Sequence, residues 1–503
     1  MSEERSTREI RLEKLQRMRE LGHDPFSIER FDRTASAQEL LDHYDELQGQ
    51  TVAFAGRLVS YRLMGKAGFA HISDGDAKIQ AYFKKDDLGE TGWELYNLLD
   101  IGDHIAVKGE LFTTKTGEKS IHTRELIPLS KSLQVLPLGK EKEGQHWYGL
   151  SDVEQRYRHR HLDLICNPDA RTLLLQRARL VTAVRRFLDS RGYLEVETPL
   201  LQVTAGGAAA RPFVTHYNAY EMDVKLRISL ELYLKRLICG DIPKVYEIGR
   251  VFRNEGVSNR HSPEFSLLEF YEAYSNLEDI MLLVEEMFKY VALEVYGSTE
   301  VHVHSENEEE PDVTLDFGKP WNRVSLLEEI GKHAGVKPSE LQSLESARAA
   351  MQRVGLPIEK ENNLGGIIEK LLERFVEPTL IEPTFVIGYP IETSPLAKKD
   401  PKQPGFTRRF EGYVRGREIC NAFSEINDPI DQLERFEQQQ REMNKGDDEA
   451  HPMDSEFIYA LEGGMPPTGG CGIGIERMAM ALTGSDQVRE VIFFPIMKPL
   501  ESQ

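Results

Sequence analysis

Little in this chain suits export, a membrane or a metal-stapled scaffold. Its four cysteines, Cys166, Cys239, Cys420 and Cys471, are too scattered along 503 residues for a disulfide frame or a zinc cluster. No apolar run approaches the roughly 20 residues that cross a bilayer. The opening "MSEERSTREIRLEKL" lacks the apolar core of a signal peptide. A reducing cytoplasm, with no membrane partner, is the expected location. Positive charge is also short: 62 Lys+Arg against 83 Asp+Glu leave a formal charge of −21. Such a field repels phosphate and argues against non-specific coating of nucleic acid, although it permits local basic patches. There is no internal repeat.

What is present is a globular composition, 40% hydrophobic and 29% charged, in a chain long enough for two or three domains. Residues 1–45 hold a basic amphipathic helix and a lead-in. Ile10, Leu12, Leu15, Met18 and Leu21 recur at near-helical spacing, and Gly22 is a stop. The helix is read either as a solvated amphipathic face or as one lying near a polyanion. Residues 46–140 are β-rich, with turns such as "DGDA" and "KTGE", and predict a five-stranded barrel of the oligonucleotide-binding (OB) type. Arg57, Phe69 and Gln80 fall on its first three strands. An exposed ring beside guanidinium and amide donors suits stacking and edge-reading of single-stranded bases. The alternative is that Phe69 is core. Residues 141–152 read as a linker. From 153 to 503 helices and strands mix without a βαβ rhythm, which predicts an α+β domain with an antiparallel sheet, carrying a helical insertion at about 324–375.

Three clusters carry candidate chemistry. In "KVYEIGRVFRNEGVSNRHSPEFSLLEFYEAY" two alternating strands flank a loop, a hairpin that holds Arg253, Glu255, Arg260, His261 and Phe265. A guanidinium fork suits phosphate, a ring suits a base, and a carboxylate accepts from an exocyclic amine, so the stretch points to an adenine nucleotide. Surface ion pairs in a hairpin are the bland alternative. In "RRFEGYVRGREICNAFSEIND" Glu411 and Glu418 bracket a turn placed between Val414 and Arg415, which would set them opposite each other. Either Mg²⁺ sits between them, as hard oxygen ligands beside nucleotide phosphates allow, or Arg415 or Arg417 neutralises them. Asn421, Phe423 and Glu425 share a face, and Glu418 joins them only through a bulge. "EGGMPPTGGCGIGIERMAMAL" is a Gly-rich loop entering a helix with Arg477 one turn in. It has neither a P-loop lysine nor a Rossmann strand setting, so a phosphate cradle and a tight-packing turn both fit.

In order and spacing, "GYLEVETPLL", "VYEIGRVFRNEG…RHSPEF" and "GCGIGIERMAMAL" resemble motifs 1, 2 and 3 of the class II aminoacyl-tRNA synthetases. The preceding barrel looks like the anticodon-binding domain of the aspartyl, asparaginyl and lysyl subgroup. Within it "ELYLKRL", "SPLAKKDP" and "GREICNAFSEIND" resemble the lysyl enzymes of the bacterial class II type, and the likeness covers essentially the whole chain. The resemblance implies activation of L-lysine with ATP and Mg²⁺, then transfer to tRNA(Lys), by a homodimer joined through motif 1 with Leu194, Val196, Pro199 and Leu200 in the interface. It implies Arg253 on the lysine carboxylate and α-phosphate, Glu255, His261 and Phe265 on adenine, and Arg260 and Arg477 on the outer phosphates. Glu411 and Glu418 would be Mg²⁺ ligands. Gly207 and Glu231 would receive the α-amino group, Asn421 the carboxylate, and Phe69 and Gln80 the central anticodon base. A cationic substrate tip needs a buried carboxylate, for which Glu425 and the Tyr271 hydroxyl are expected. Ser229–Leu230, Cys420 and Ala422 depart from the family pattern beside that pocket. The rival expectations are an aspartyl or asparaginyl enzyme, a relative that attaches lysine to a protein, and a non-catalytic RNA-binding protein on the same fold.

Overall fold

Alternating burial along residues 51–130 draws five strands into a closed barrel. The computed structural model describes residues 6–500 except 139, 143–144, 148, 257, 259–260, 304–311, 358–362 and 445–450, with backbone alone at 140–142 and 145–147. Arg260, part of the expected linker and most of the acidic run at 305–312 therefore lie outside the described residues. The chain divides into two compact units, Met1–Arg171 and Thr172–Gln503.

The first unit opens with α1 (Thr7–Glu20), whose N-terminus is closed by a reciprocal Ser6–Glu9 capping box. Its Lys14 and Arg17 pair with Asp100 and Glu94 at 2.6 and 2.7 Å, and buried Arg11 donates to the Ser132 carbonyl. These basic groups are engaged within the unit, which favours the amphipathic reading of the helix. The barrel is built from β1 (Thr51–Met64), β2 (Ala67–Ser73), β3 (Lys78–Lys84), β4 (His104–Thr113) and β5 (Lys119–Ser130). Its order is β1-β2-β3-β5-β4, antiparallel except for β3 beside β5. Phe54, Leu58, Ile72, Phe83, Ile105 and Ile121 fill it, each worth about 1.5–3 kcal/mol of burial. Tyr96 of α2 (Lys85–Leu98) packs so close to β2 that a Cβ on Gly68 would stand 2.1 Å from its hydroxyl.

The second unit is an eight-stranded sheet. Its strands are β6 (Leu194–Glu195), β7 (Lys244–Phe252), β8 (Glu264–Ala273), β9 (Asn322–Ser325), β10 (Thr384–Ile387), β11 (Arg409–Val414), β12 (Arg417–Ser424) and β13 (Thr468–Gly474). The order is β9-β10-β11-β12-β13-β8-β7-β6, and only the outermost pair at each edge is parallel. α3 (Pro168–Asp189) and α5 (Leu277–Tyr296) supply Leu180, Phe187, Val284, Met287 and Phe288 to the core behind the sheet. Between them in the chain lies α4 (Glu231–Cys239). The inserted segment forms α6 (Leu326–Ala334), α7 (Leu344–Arg353) and α8 (Leu364–Leu371) around a separate core, then a π-helical turn, Leu372–Val376, that ends at Glu377. α9 (Ser455–Glu462) precedes β13, and α10 (Ile475–Thr483) follows it directly. Among the described residues no helix is long and apolar enough to cross a membrane.

Candidate active site and base-reading face

The sheet carries a cavity. Its walls include Gly207, Glu231, Arg253, Glu255, His261, Phe265, Tyr271, Glu418, Asn421, Glu425 and Arg477, so the structure brings together most of the candidates from all three clusters. Strand pairing explains the convergence. β8 lies between β7 and β13, and β12 lies on the far side of β13, so the hairpin, the Gly-rich strand and the carboxylate strand are neighbours.

At the nucleotide end Arg253 is half-buried, its guanidinium 5.2 Å from the centre of the Phe265 ring. Burial pulls its pKa down, while Glu255 and Glu418 oppose the shift. Arg477 Nη1 donates to Glu418 Oε2 and to the Glu418 carbonyl, both at 2.8 Å, and Nη2 reaches His261 Nε2 at 3.5 Å. The arginine therefore leans across the cavity between the hairpin loop and β12. A cradle of two guanidinium groups beside an aromatic ring matches a nucleotide's charge and shape.

The amino-acid end is built from carboxylates. Glu231 begins α4, and its Oε1 accepts from Lys235 Nζ at 2.7 Å, one helical turn on. The same ammonium donates to Glu425 Oε2 at 2.8 Å. Lys235 and Glu425 are both 0% exposed, yet Glu425 Oε1 has no hydrogen-bond partner. A desolvated carboxylate oxygen without a donor is costly unless a cation arrives. Burial pushes the Glu425 carboxyl well up, and Lys235 pulls it back. Glu269 accepts from Ser229 Oγ, Tyr271 Oη and the Leu230 amide at 2.8, 2.9 and 3.1 Å, and burial beside Glu231 pushes it up to about 7. The Tyr271 hydroxyl is thus engaged by Glu269, while its ring and Glu425 meet over one glycine. A Cβ on Gly470 would lie 2.4 Å from both Glu425 Oε1 and the Tyr271 ring. Gly207 has φ +88° and lies against Ser229, where a Cβ would meet Oγ at 2.7 Å. Asn421 Oδ1 accepts from Arg409 Nε at 3.0 Å.

The carboxylate hairpin differs from its expected register. The turn centres between Arg415 and Gly416, Tyr413 faces Glu418, and Glu411 faces Asn421, with a bulge at Ile419. Glu411 and Glu418 are therefore offset rather than opposite. The bulge supplies the change of parity that turns Glu418 to the cavity with Asn421 and Glu425. Glu411 lies outside the cavity wall, held by the hydroxyls of Tyr389 and Tyr413 at 2.9 and 2.6 Å and by Arg409. Arg417 and Arg415 turn away to Asp486, so neither neutralises the pair. Burial and Glu418 push the Glu411 carboxyl up, and Arg409 opposes. Glu377 is pushed up to about 7 by burial and by Glu411, Glu373 and Glu418. Among the described residues no three ligating side chains close a protein-only metal cage. Glu418 on the wall is a hard oxygen donor of the kind Mg²⁺ takes beside water and substrate phosphates, whereas both oxygens of Glu411 are already engaged.

On the barrel, Phe69 and Tyr82 pack with ring centres 5.0 Å apart, and Tyr82 continues to Phe112 at 6.0 Å. These rings floor an open groove that includes Gln80 and Arg62. Gln80 Nε2 donates to Glu118 Oε2 at 2.6 Å while its Oε1 accepts from Ser120 Oγ at 2.9 Å. Phe69 is half-exposed on the groove, not core. Arg57 is a correction: it lies off the groove and donates to the Gly102 carbonyl at 3.0 Å. Arg62, the direct cross-strand partner of Phe69, lines the groove.

The sequence reading passed over Lys235, Glu269, Glu118 and Arg62. The alternation of β8 puts Glu269 on the face of Tyr271, and Glu231 and Lys235 stand at i,i+4 spacing, signals that could have found them.

Fold and site together define a class. The family described as tRNA synthetases class II (D, K and N) matches residues 152–498, and an OB-fold nucleic acid binding domain matches residues 52–129. Over its whole length the chain is similar to lysine–tRNA ligases. It is 49% identical to that of Syntrophomonas wolfei over 99% of this chain and 98% of the relative. For Moorella thermoacetica the identity is 49%, over 98% of each chain. For Clostridium novyi it is 48%, over 97% of this chain and 94% of the relative. The chain belongs to the lysine–tRNA ligase family of class II tRNA synthetases.

Proposed function

We propose that the chain activates L-lysine with ATP and transfers it to the 3′ end of tRNA(Lys). The single observation that carries the choice of amino acid is the donorless, fully buried Glu425 Oε1 on the cavity wall. The charge of the pocket agrees. Glu231, Glu269 and Glu425 face one internal ammonium, Lys235, a surplus of carboxylate that suits a substrate with two ammonium groups. A substrate with an acidic side chain would place a fourth carboxylate among these three, at a prohibitive electrostatic cost.

Glu425 takes the ε-ammonium, Glu231 and the Gly207 backbone take the α-ammonium, and Arg253 with Asn421 orients the carboxylate. Phe265 stacks on adenine, Glu255 and His261 read its edge, and Arg477, with Arg260, holds the outer phosphates. Lysine's carboxylate oxygen attacks the α-phosphorus in line and pyrophosphate leaves. Arg253 neutralises charge on both reacting groups, so positioning and electrostatics supply the rate without an acid or base residue. A ribose hydroxyl of the tRNA end then attacks the lysyl carbonyl and AMP leaves. Glu418 and Glu411 would hold Mg²⁺, which when bound neutralises phosphate charge. The barrel groove, with Phe69, Gln80 and Arg62, reads the anticodon.

A homodimer is part of this proposal. Leu194 and Leu200 of motif 1 are 51% and 39% exposed, apolar surface that suits a second copy. Four free thiols suit a reducing cytoplasm. ATP–pyrophosphate exchange with each of the 20 amino acids, followed by charging of tRNA(Lys), tests the reading. Lysine alone should support exchange; exchange driven by aspartate or asparagine overturns it.

A further inference from the structure

Among the described residues Lys235 is the one fully buried lysine of the catalytic unit, and its ammonium meets the site from behind. It belongs to neither the cavity wall nor the solvent, yet it bonds Glu231 and Glu425, which both line the cavity. The Phe457 and Phe423 rings lie 5.2 and 5.8 Å from Nζ, leaving little room for water to replace it. Its bond to Oε2 of Glu425 fixes the carboxylate plane and leaves Oε1, beside cavity-lining Gly470, without a donor.

We propose that Lys235 is a positioning and specificity-determining residue for the amino acid. Its fixed ammonium pins Glu231 and Glu425 as ionised carboxylates, so that the pocket stays selective for a charged ε-tip. This rests on the lysine reading above and names the group that sets it. Two carboxylates held around one point repel, and without a cation one takes up a proton. A proton neutralises charge but does not fix orientation, and it leaves as pH rises. The neighbours that share this balance are Glu231 and Cys239 on α4, Glu269 and Tyr271 on β8, Arg409 on β11, Glu425 beyond β12, Cys471 on β13, and His451 ahead of α9. Burial and Lys235 pull His451 down to about 4, so beside the intact lysine the imidazole is neutral.

Lys235→Met tests the idea in the full-length enzyme by lysine-dependent pyrophosphate exchange between pH 6 and 8.5. The lysine KM should rise on the order of 30-fold, as when one partner of a buried charge pair is removed, with the ATP KM unchanged. Preference for lysine over neutral 6-hydroxynorleucine as inhibitor should shrink, and the variant's lysine KM should fall with rising pH more steeply than the wild type's. Lys235→Gln, neutral but still a donor, carries the same readouts should the methionine variant not fold. A folded variant with wild-type lysine KM, analogue preference and pH slope overturns the proposal and makes Lys235 a core ion pair only. Wild-type protein that exchanges with another amino acid instead overturns the lysine reading itself.

Discussion

In the catalytic unit the groups proposed to choose the substrate are carboxylates with almost no exposure, tied to an internal ammonium. On the barrel they are rings and an amide at an open groove. The difference follows from what is read. A charged tip is distinguished by desolvation, because a buried carboxylate penalises every wrong partner heavily. A base is uncharged and flat, so stacking and a fixed amide suffice, each worth little enough to permit release. The first site is therefore expected to be brittle to single changes and the second graded.

The sharpest way to break that comparison is Glu425→Gln. Lysine-dependent exchange should fall roughly 1,000-fold in kcat/KM, since one half of a buried charge pair is lost, while ATP binding measured by calorimetry survives. Gly470→Ala comes next. Its methyl would intrude on Glu425 Oε1 and Tyr271, and kcat/KM for lysine should drop on the order of 100-fold, with nucleotide affinity intact. Phe69→Ala should reduce tRNA charging about 10–100-fold by loss of one stacked base and leave pyrophosphate exchange untouched; equal losses in both assays would contradict the division of labour.

The smallest effect is the titration of Glu269. Its folded pKa, about 7, lies above the ordinary carboxylate value, so the fold binds its proton more tightly than the unfolded chain does. Its contribution to stability therefore declines as pH rises between the ordinary value and 7. Its negative charge, which assists lysine, is lost as pH falls through 7. The lysine KM should rise roughly fivefold from pH 8 to pH 6, and Glu269→Gln should flatten that slope.

The order of the motifs, the barrel and the antiparallel sheet were legible in the sequence because they rest on local alternation and turn chemistry. The misreadings trace to register. Arg57 and Arg62 both lie on β1, but Arg57 pairs with Ser73 and Arg62 with Phe69, at opposite ends of the ladder with β2. β12 slips at Ile419, which sends Glu418 to the cavity and leaves Glu411 outside it. A bulge leaves no signature in residue type. Lys235 escaped for another reason: a lysine on an amphipathic helix reads as surface, and only α4 lying against β8 and α9 reveals that its tip is dry.

The pairing of β8 with β13 has a consequence for length. Leu267 stands across from Gly474 at the nucleotide end, and Tyr271 across from Gly470 at the ammonium end. Four residues of paired strand measure about 13 Å, a ruler laid under both reactants. Inserting two residues in each strand would keep every side chain on its own face and still set the two seats a notch apart, so that an enzyme able to hold its amino acid and its nucleotide could no longer join them.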